Sequence, residues 1–190
     1  MKQLLKIAIA ATITTLSINA HAEDSSPFNY IEYSVGIIQY DDYTDPSDGS
    51  TYSPDDGDYS SLAISVETPF FALPLLSAER IDFNFFDVTK IGAGSYLQFE
   101  ANSYAYGLVH YNDYSSDDTD NDFSFTAGAR HRFTQRLEGN LSYTEYTDED
   151  SFSGGKVSLN YYLHPNFSIS ASFQPFDNAN IFAAGGRVSF

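Results

Sequence analysis

The run Phe123-Ser124-Phe125-Thr126-Ala127-Gly128-Ala129-Arg130-His131-Arg132-Phe133 alternates without a break. Phe123, Phe125, Ala127, Ala129, His131 and Phe133 share one face, and Ser124, Thr126, Gly128, Arg130 and Arg132 share the other. A period of two residues means strand, because successive side chains of an extended chain point to opposite faces. The segments that follow obey the same rule. Leu137, Gly139, Leu141 and Tyr143 alternate with Glu138, Asn140, Ser142 and Thr144. Val157, Leu159, Tyr161 and Leu163 alternate with Ser158, Asn160 and Tyr162, and Phe167, Ile169, Ala171 and Phe173 with Ser168, Ser170, Ser172 and Gln174. The last segment sets Phe182, Ala184, Gly186, Val188 and Phe190 against Ala183, Gly185, Arg187 and Ser189.

Upstream the alternation is shorter. Ile31, Tyr33, Val35 and Ile37 oppose Tyr30, Glu32, Ser34 and Gly36, while Leu62, Ile64 and Val66 oppose Ser61, Ala63, Ser65 and Glu67. Ile81, Phe83 and Phe85 oppose Arg80, Asp82 and Asn84. Residues 94–111 read as one long strand or as two divided near Ala101-Asn102-Ser103. Division gives ten strands, and an even number is expected of a closed bacterial barrel. Eight is the alternative, if residues 79–90 lie outside the barrel.

The connections alternate as well. Thr134-Gln135-Arg136 and His164-Pro165-Asn166 are tight turns. Residues 41–58, 112–122 and 147–155 are long, contain no Lys or Arg, and carry 15 of the 26 acidic residues. With ten strands these three acidic stretches fall at one end of the sheet and the tight turns at the other, as in outer-membrane barrels. A soluble sandwich also alternates, but its wet face usually carries many Lys and Glu. Here the polar faces hold mainly Ser, Thr, Asn and Gly, which suits a crowded lumen. The apolar faces are rich in Tyr and Phe near strand ends, as at a membrane interface. In lipid every strand edge must be paired, so the sheet must close. The expected fold is therefore all-β, a closed antiparallel transmembrane β-barrel.

Composition agrees. The chain has 190 residues, 9 basic against 26 acidic, a net charge of −17, 31 aromatic residues, and neither Cys nor Trp. The acid excess argues against nucleic acid as a partner. The absence of Cys excludes disulfides, thiolate metal sites and thiol nucleophiles. Lys2 and Lys6, the apolar run from Ile7 to Ile18, and Ala20-His21-Ala22 have the order of a secretory leader cut before Glu23. The expected domains are a signal peptide over 1–22 and a barrel over 23–190. Export to the bacterial outer membrane follows.

The final strand, ending on an aromatic carboxy-terminal residue, resembles the terminal β-signal of Gram-negative outer-membrane proteins. Arg132-Phe133-Thr134, Leu137-Glu138-Gly139 and Tyr162-Leu163-His164-Pro165-Asn166-Phe167 are similar to stretches of small porin-like outer-membrane β-barrel proteins. The resemblance covers residues 122–190 best. It implies that Phe182, Val188 and Phe190 are read by the barrel-assembly machinery during insertion. It also implies contact with outer-membrane lipid and lipopolysaccharide. The apolar stretch Pro69-Phe70-Phe71-Ala72-Leu73-Pro74-Leu75-Leu76 departs from the short polar turn expected there.

Three places are candidates for function. The first is the lumen, where Glu32, Glu67, Asp82, Glu100 and Glu138 would face Arg80, Arg130, Arg132 and Arg187, with Lys156 near an end. Charges in a narrow cavity must pair, and a barrel of eight to ten strands has little more room than its side chains fill. The second is the acidic loops. Asp118, Asp120 and Asp122 have a D-x-D-x-D spacing and Asp55, Asp56 and Asp58 flank Gly57, oxygen-only groups suited to weakly held Ca²⁺ or Mg²⁺. Neither has the EF-hand form, and no other cofactor is implied. The third is catalysis, for which His110, His131 and His164 are the histidines after residue 22, and none has a clear nucleophile beside it. The reading is a structural or surface-interaction protein of the outer membrane, not an enzyme, with a filled, charge-paired lumen. The alternative is a narrow porin-like channel for small solutes or cations. A barrel enzyme acting on lipid is a remote third. Oligomeric state is not legible.

Overall fold

The computed structural model describes residues 27–44, 49–52, 55–69, 75–83, 87–115, 121–147, 153–176 and 179–190. Among the described residues twelve strands form: β1 (Tyr30–Tyr40), β2 (Tyr43–Thr44), β3 (Thr51–Tyr52), β4 (Gly57–Glu67), β5 (Leu75–Phe83), β6 (Asp87–Glu100), β7 (Ser103–Tyr114), β8 (Asp122–Arg132), β9 (Leu137–Tyr146), β10 (Gly154–His164), β11 (Phe167–Pro175) and β12 (Ala179–Ser189). Ten of them close into one antiparallel barrel in which each strand lies beside its neighbours in sequence. Closure is made by β1 against β12, in register from Tyr30 opposite Ser189 to Tyr40 opposite Ala179. β2 and β3 make a small separate ribbon, Tyr43 opposite Tyr52. No sheet edge is left in the barrel, which removes the unpaired backbone groups that hydrocarbon cannot solvate.

The outward face is the apolar set read from the alternation. Val35, Ile64, Val109, Leu141, Leu159 and Ile169 are exposed around the wall. Aromatics cluster toward both ends. Tyr111 and Phe123 face each other across β7 and β8 with centroids 5.6 Å apart, and Phe173 and Phe182 across β11 and β12 at 4.9 Å. Phe99, Phe133, Phe167 and Phe190 are exposed near the opposite end. Such a wall would aggregate in water, and it matches an apolar belt between two aromatic girdles.

The ends differ as expected. Between β8 and β9 lie only residues 133–136, and between β10 and β11 only 165–166. Thr134 Oγ1 accepts from the backbone N–H of Arg136 and of Leu137, which closes the first of these turns. The long acidic connections lie at the other end. Residues 94–111 are indeed two strands, β6 and β7, divided at Ala101-Asn102, and β6 begins earlier than the alternation suggested, at Asp87. The proposed leader, residues 1–22, lies outside the described residues.

β5 departs from the sequence reading. Its phase is opposite to the one the alternation of Ile81, Phe83 and Phe85 suggested. Leu75, Ser77, Glu79 and Ile81 line the interior, and Arg80 and Asp82 are exposed on the outer side. The reason lies inside the barrel. Ile81 joins Ile38, Tyr59, Val88, Ala179, Ile181 and Ala183 in a buried apolar cluster near the long-loop end. On that side of the lumen the wall is apolar, so the usual rule of apolar outside and polar inside is reversed for Ile81.

Candidate functional site

The charged residues of the interior converge at the short-turn end. Glu138, on the first turn-proximal inward position of β9, is 1% exposed. Its Oε1 accepts from Arg187 Nη1 at 3.0 Å, and Arg130 Nε stands 3.6 Å away. Its Oε2 accepts from the Tyr162 hydroxyl at 3.1 Å, with Arg132 Nη2 at 3.5 Å. Arg187 Nε also donates to Glu32 Oε2 at 2.6 Å, and its Nη2 stands 2.6 Å from the same oxygen. Arg130 and Arg187 are 4% and 5% exposed. Two carboxylates thus hold three guanidinium groups across the barrel axis. Buried charges persist only when paired and hydrogen-bonded in this way. The aromatic faces of Tyr30 and Tyr162 complete the cluster, 4.2 Å from the Arg187 guanidinium and 4.5 Å from that of Arg132.

A latch that the alternation does not announce completes the closure. Phe28, ahead of β1, is 2% exposed inside the barrel mouth. Its ring packs on Tyr96, Tyr104 and Tyr106 at centroid distances of 4.6, 5.7 and 5.8 Å, and the Arg130 guanidinium stacks on it at 4.9 Å. The flanking backbone is pinned. Arg130 donates to the Pro27 carbonyl, the Glu67 N–H donates to Asn29 Oδ1 at 2.6 Å, and the Phe190 N–H donates to the Asn29 carbonyl at 3.1 Å. A lone Phe between Pro27 and Asn29 has no period to betray its role.

Above Phe28 a cavity of about 620 Å³ extends to the long-loop end. One wall is apolar, with Ile38, Tyr59, Ile81 and Ile181. The opposite wall is hydroxyl and amide, with Thr126, Asn140, Ser142 and Thr144. Lys90 and Lys156 project into this space. Lys90 donates to the Tyr146 hydroxyl and lies 4.8 Å from that ring. The sequence reading missed Lys90 and Glu79, which face each other across β5 and β6. Extending the alternation back from Gly92 to Val88 would have exposed Lys90, whereas Glu79 was hidden by the phase read for β5.

Of the lumen residues expected from sequence, Glu32, Arg130, Arg132, Glu138 and Arg187 come together. Glu67 sits at the short-turn end beside Asn29, outside this cluster. Glu100 is exposed at the β6–β7 turn, where it accepts from Ser103 Oγ at 3.2 Å. Arg80 and Asp82 were expected inside and are not. The Arg80 side chain is 61% exposed and pairs with Asp87 on the outer surface. Lys156 lies in the cavity.

Asp122 is buried at the long-loop end, inside the barrel, where its Oδ1 accepts from Asn112 Nδ2 at 2.6 Å and the Tyr114 hydroxyl at 3.1 Å. Asp118 and Asp120 lie outside the described residues, and no group of three or more His, Asp or Glu is placed to hold a metal among those described. Asp55, Asp56 and Asp58 are exposed. His110 points into the lumen, 3.1 Å from Ser77 Oγ. His131 Nδ1 is 2.7 Å from Ser103 Oγ, but that serine is 2% exposed and has no open face toward a substrate. The contact ties the β6–β7 turn to β8. Phe182 and Phe190 face outward, and Val188 stands opposite Ile31 and Phe167 on the closing strand.

No protein-family model matches the sequence, and neither does any curated protein sequence. Solved structures do match in fold. The chain is similar to the KdgM porin in complex with disordered oligogalacturonate, with a TM-score of 0.54, 7% identity, and 85% of this chain aligned to 99% of that one. The fold is that of a porin-like outer-membrane β-barrel. A second KdgM porin structure aligns with a TM-score of 0.52, 15% identity, and the same coverage of 85% and 99%. The COG4313 outer membrane channel from Pseudomonas putida F1 aligns with a TM-score of 0.50 and 10% identity, over 90% of this chain and 99% of that one. At such identities the likeness concerns the fold. These neighbours are porins and channels.

Proposed function

We propose that this barrel is a surface protein of the bacterial outer membrane with a lumen closed at the periplasmic end, not a standing pore. The short turns, the start of β1 and the end of β12 then face the periplasm, and the acidic loops face outward. The observation that carries the reading is the crosspiece of Glu138, Glu32, Arg130 and Arg187, with Phe28 packed beneath the cavity. Side chains buried and paired to this degree support a lumen closed to hydrated ions. Under this reading Phe182, Val188 and Phe190 serve assembly, and the acidic loops contact lipopolysaccharide through bridging divalent cations. The protein acts on no substrate chemically. The test is planar-bilayer recording of the refolded barrel, with folding checked by its shift in gel mobility on boiling. Silence from inserted protein is expected. Discrete steps from the wild type would overturn the reading.

A second reading, a gated narrow channel, is favoured by one feature. Phe28 belongs to the segment before β1 and not to the wall, so it can leave without breaking a strand. The porin fold of the structural neighbours is in keeping with that alternative. A silent wild type and a conducting Phe28→Ala barrel would select it.

A further inference from the structure

The cavity above the crosspiece carries an imbalance of charge. Above the crosspiece, where Arg130, Arg132 and Arg187 are met by Glu32 and Glu138, the lining charges are Lys90 and Lys156 against Glu79. One positive charge is in excess. The local pairings say which one. Arg187 and Arg130 are held by Glu32 and Glu138. Lys90 stands opposite Glu79 across the β5–β6 pair and donates to Tyr146. Lys156 has no ion pair within 4.0 Å among the described residues. Its electrostatic neighbours are Tyr59 first, on the opposite wall of the barrel, and then the more distant carboxylates of Glu79 and Glu32. Tyr59 belongs to the buried apolar cluster with Ile38, Ile81 and Ile181. Lys156 and the apolar Ile38, Ile81 and Ile181 thus line one chamber of small-molecule size.

We propose that this chamber binds one small organic monoanion. Its carboxylate would be held by Lys156, and its apolar body would lie against Ile38, Ile81 and Ile181. A single negative charge completes the balance at the site, and an apolar body uses a wall that a hydrated inorganic ion would not. The hydroxyl and amide wall opposite, with Ser142 and Thr144, serves the remaining lone pairs of the carboxylate directly or through water. The inference does not depend on whether the periplasmic end conducts, because the chamber lies above the crosspiece.

Benzoate is the probe, titrated calorimetrically into the intact barrel in lipid nanodiscs, with empty nanodiscs as the blank. Saturable binding is expected at one site per barrel, with benzylamine bound at least tenfold more weakly. Lys156→Met should weaken benzoate at least about tenfold, the loss expected when a charge-assisted hydrogen bond is removed, and Lys156→Arg should retain most of the affinity. Equal binding of benzoate and benzylamine would overturn the proposal, as would unchanged affinity in a folded Lys156→Met barrel. Displacement of benzoate by equimolar sodium chloride would overturn it too, since the apolar wall would then contribute nothing. If Lys156→Met fails to fold, the comparison of benzoate with benzylamine on the wild type decides alone. A silent bilayer record without benzoate binding removes this inference and leaves the closed-barrel reading standing. Conductance together with binding does the reverse.

Discussion

Replacing Glu138 is the sharpest test of what holds the lumen together. This carboxylate accepts from Arg187 at 3.0 Å and Tyr162 at 3.1 Å, and stands 3.6 and 3.5 Å from Arg130 and Arg132. Removing one partner of a buried ion pair costs about 3–5 kcal/mol, because the other charge is left without compensation. The low end applies here. Arg187 keeps Glu32 at 2.6 Å, and Arg130 keeps the Pro27 carbonyl. Arg132 is partly exposed, so water takes over its solvation. Glu138→Ala should therefore lower the unfolding free energy by about 3 kcal/mol. Glu138→Gln, which keeps the shape and some hydrogen bonds, should lower it by about 2 kcal/mol. The assay is equilibrium urea unfolding in phospholipid vesicles, followed by far-ultraviolet circular dichroism and by gel mobility. A double-mutant cycle with Arg187→Met should return a coupling of about 1–3 kcal/mol, as for neighbours in one ion-pair network. Losses under about 0.5 kcal/mol for both Glu138 variants, of the size seen at ordinary surface sites, would refute the argument. So would strict additivity in the cycle.

The other predictions concern the latch, the seam and the outer surface. Phe28→Ala removes a ring held by three tyrosines and a guanidinium, and should cost about 3 kcal/mol in the same unfolding assay. Any effect on conductance is read separately in the planar bilayer. Gly36→Ala should fail to give the compact, heat-modifiable band on gels. A methyl group there would meet the Phe182 carbonyl oxygen and, at 2.8 Å, the Ala183 Cα, and backbone across the closing β1–β12 seam cannot step aside. Arg80→Ala should change stability by no more than about 0.5 kcal/mol, since an exposed ion pair is worth little. A large loss at Arg80 would mean that β5 has the phase first read from its sequence.

The alternation around residues 123–190 was enough for five strands, their inward and outward faces, and the end at which each connection lies. That follows from the geometry of an extended chain, where face is decided by the parity of residue number. With the shorter alternation around Glu32, it gave Glu32, Arg130, Arg132, Glu138 and Arg187 inward positions, and these are the ones that meet. The same parity argument failed at β5. Ile81 faces an apolar stretch of lumen, and no local pattern tells an inward isoleucine from a lipid-facing one. Arg80 and Asp82 were misplaced for the same reason. Glu79 was passed over with the phase of β5, and Lys90 because β6 was started too late.

What the tertiary structure alone decided is contact across the barrel. Arg187 reaches Glu138 over 49 residues of sequence, Arg130 reaches Pro27 over 103, and Lys156 on β10 shares a cavity with Tyr59 on β4. Closure of β1 on β12 creates these meetings, and their geometry depends on strand register and barrel width, which no single strand encodes. Phe28 shows the limit most plainly. It lies outside every strand, so periodicity is silent about it, and only the closed barrel offers the ring of tyrosines that buries it. Strand, face and direction are local consequences of the chain's own pattern. The crosspiece, the latch and the chamber above them exist only once ten such strands share one interior.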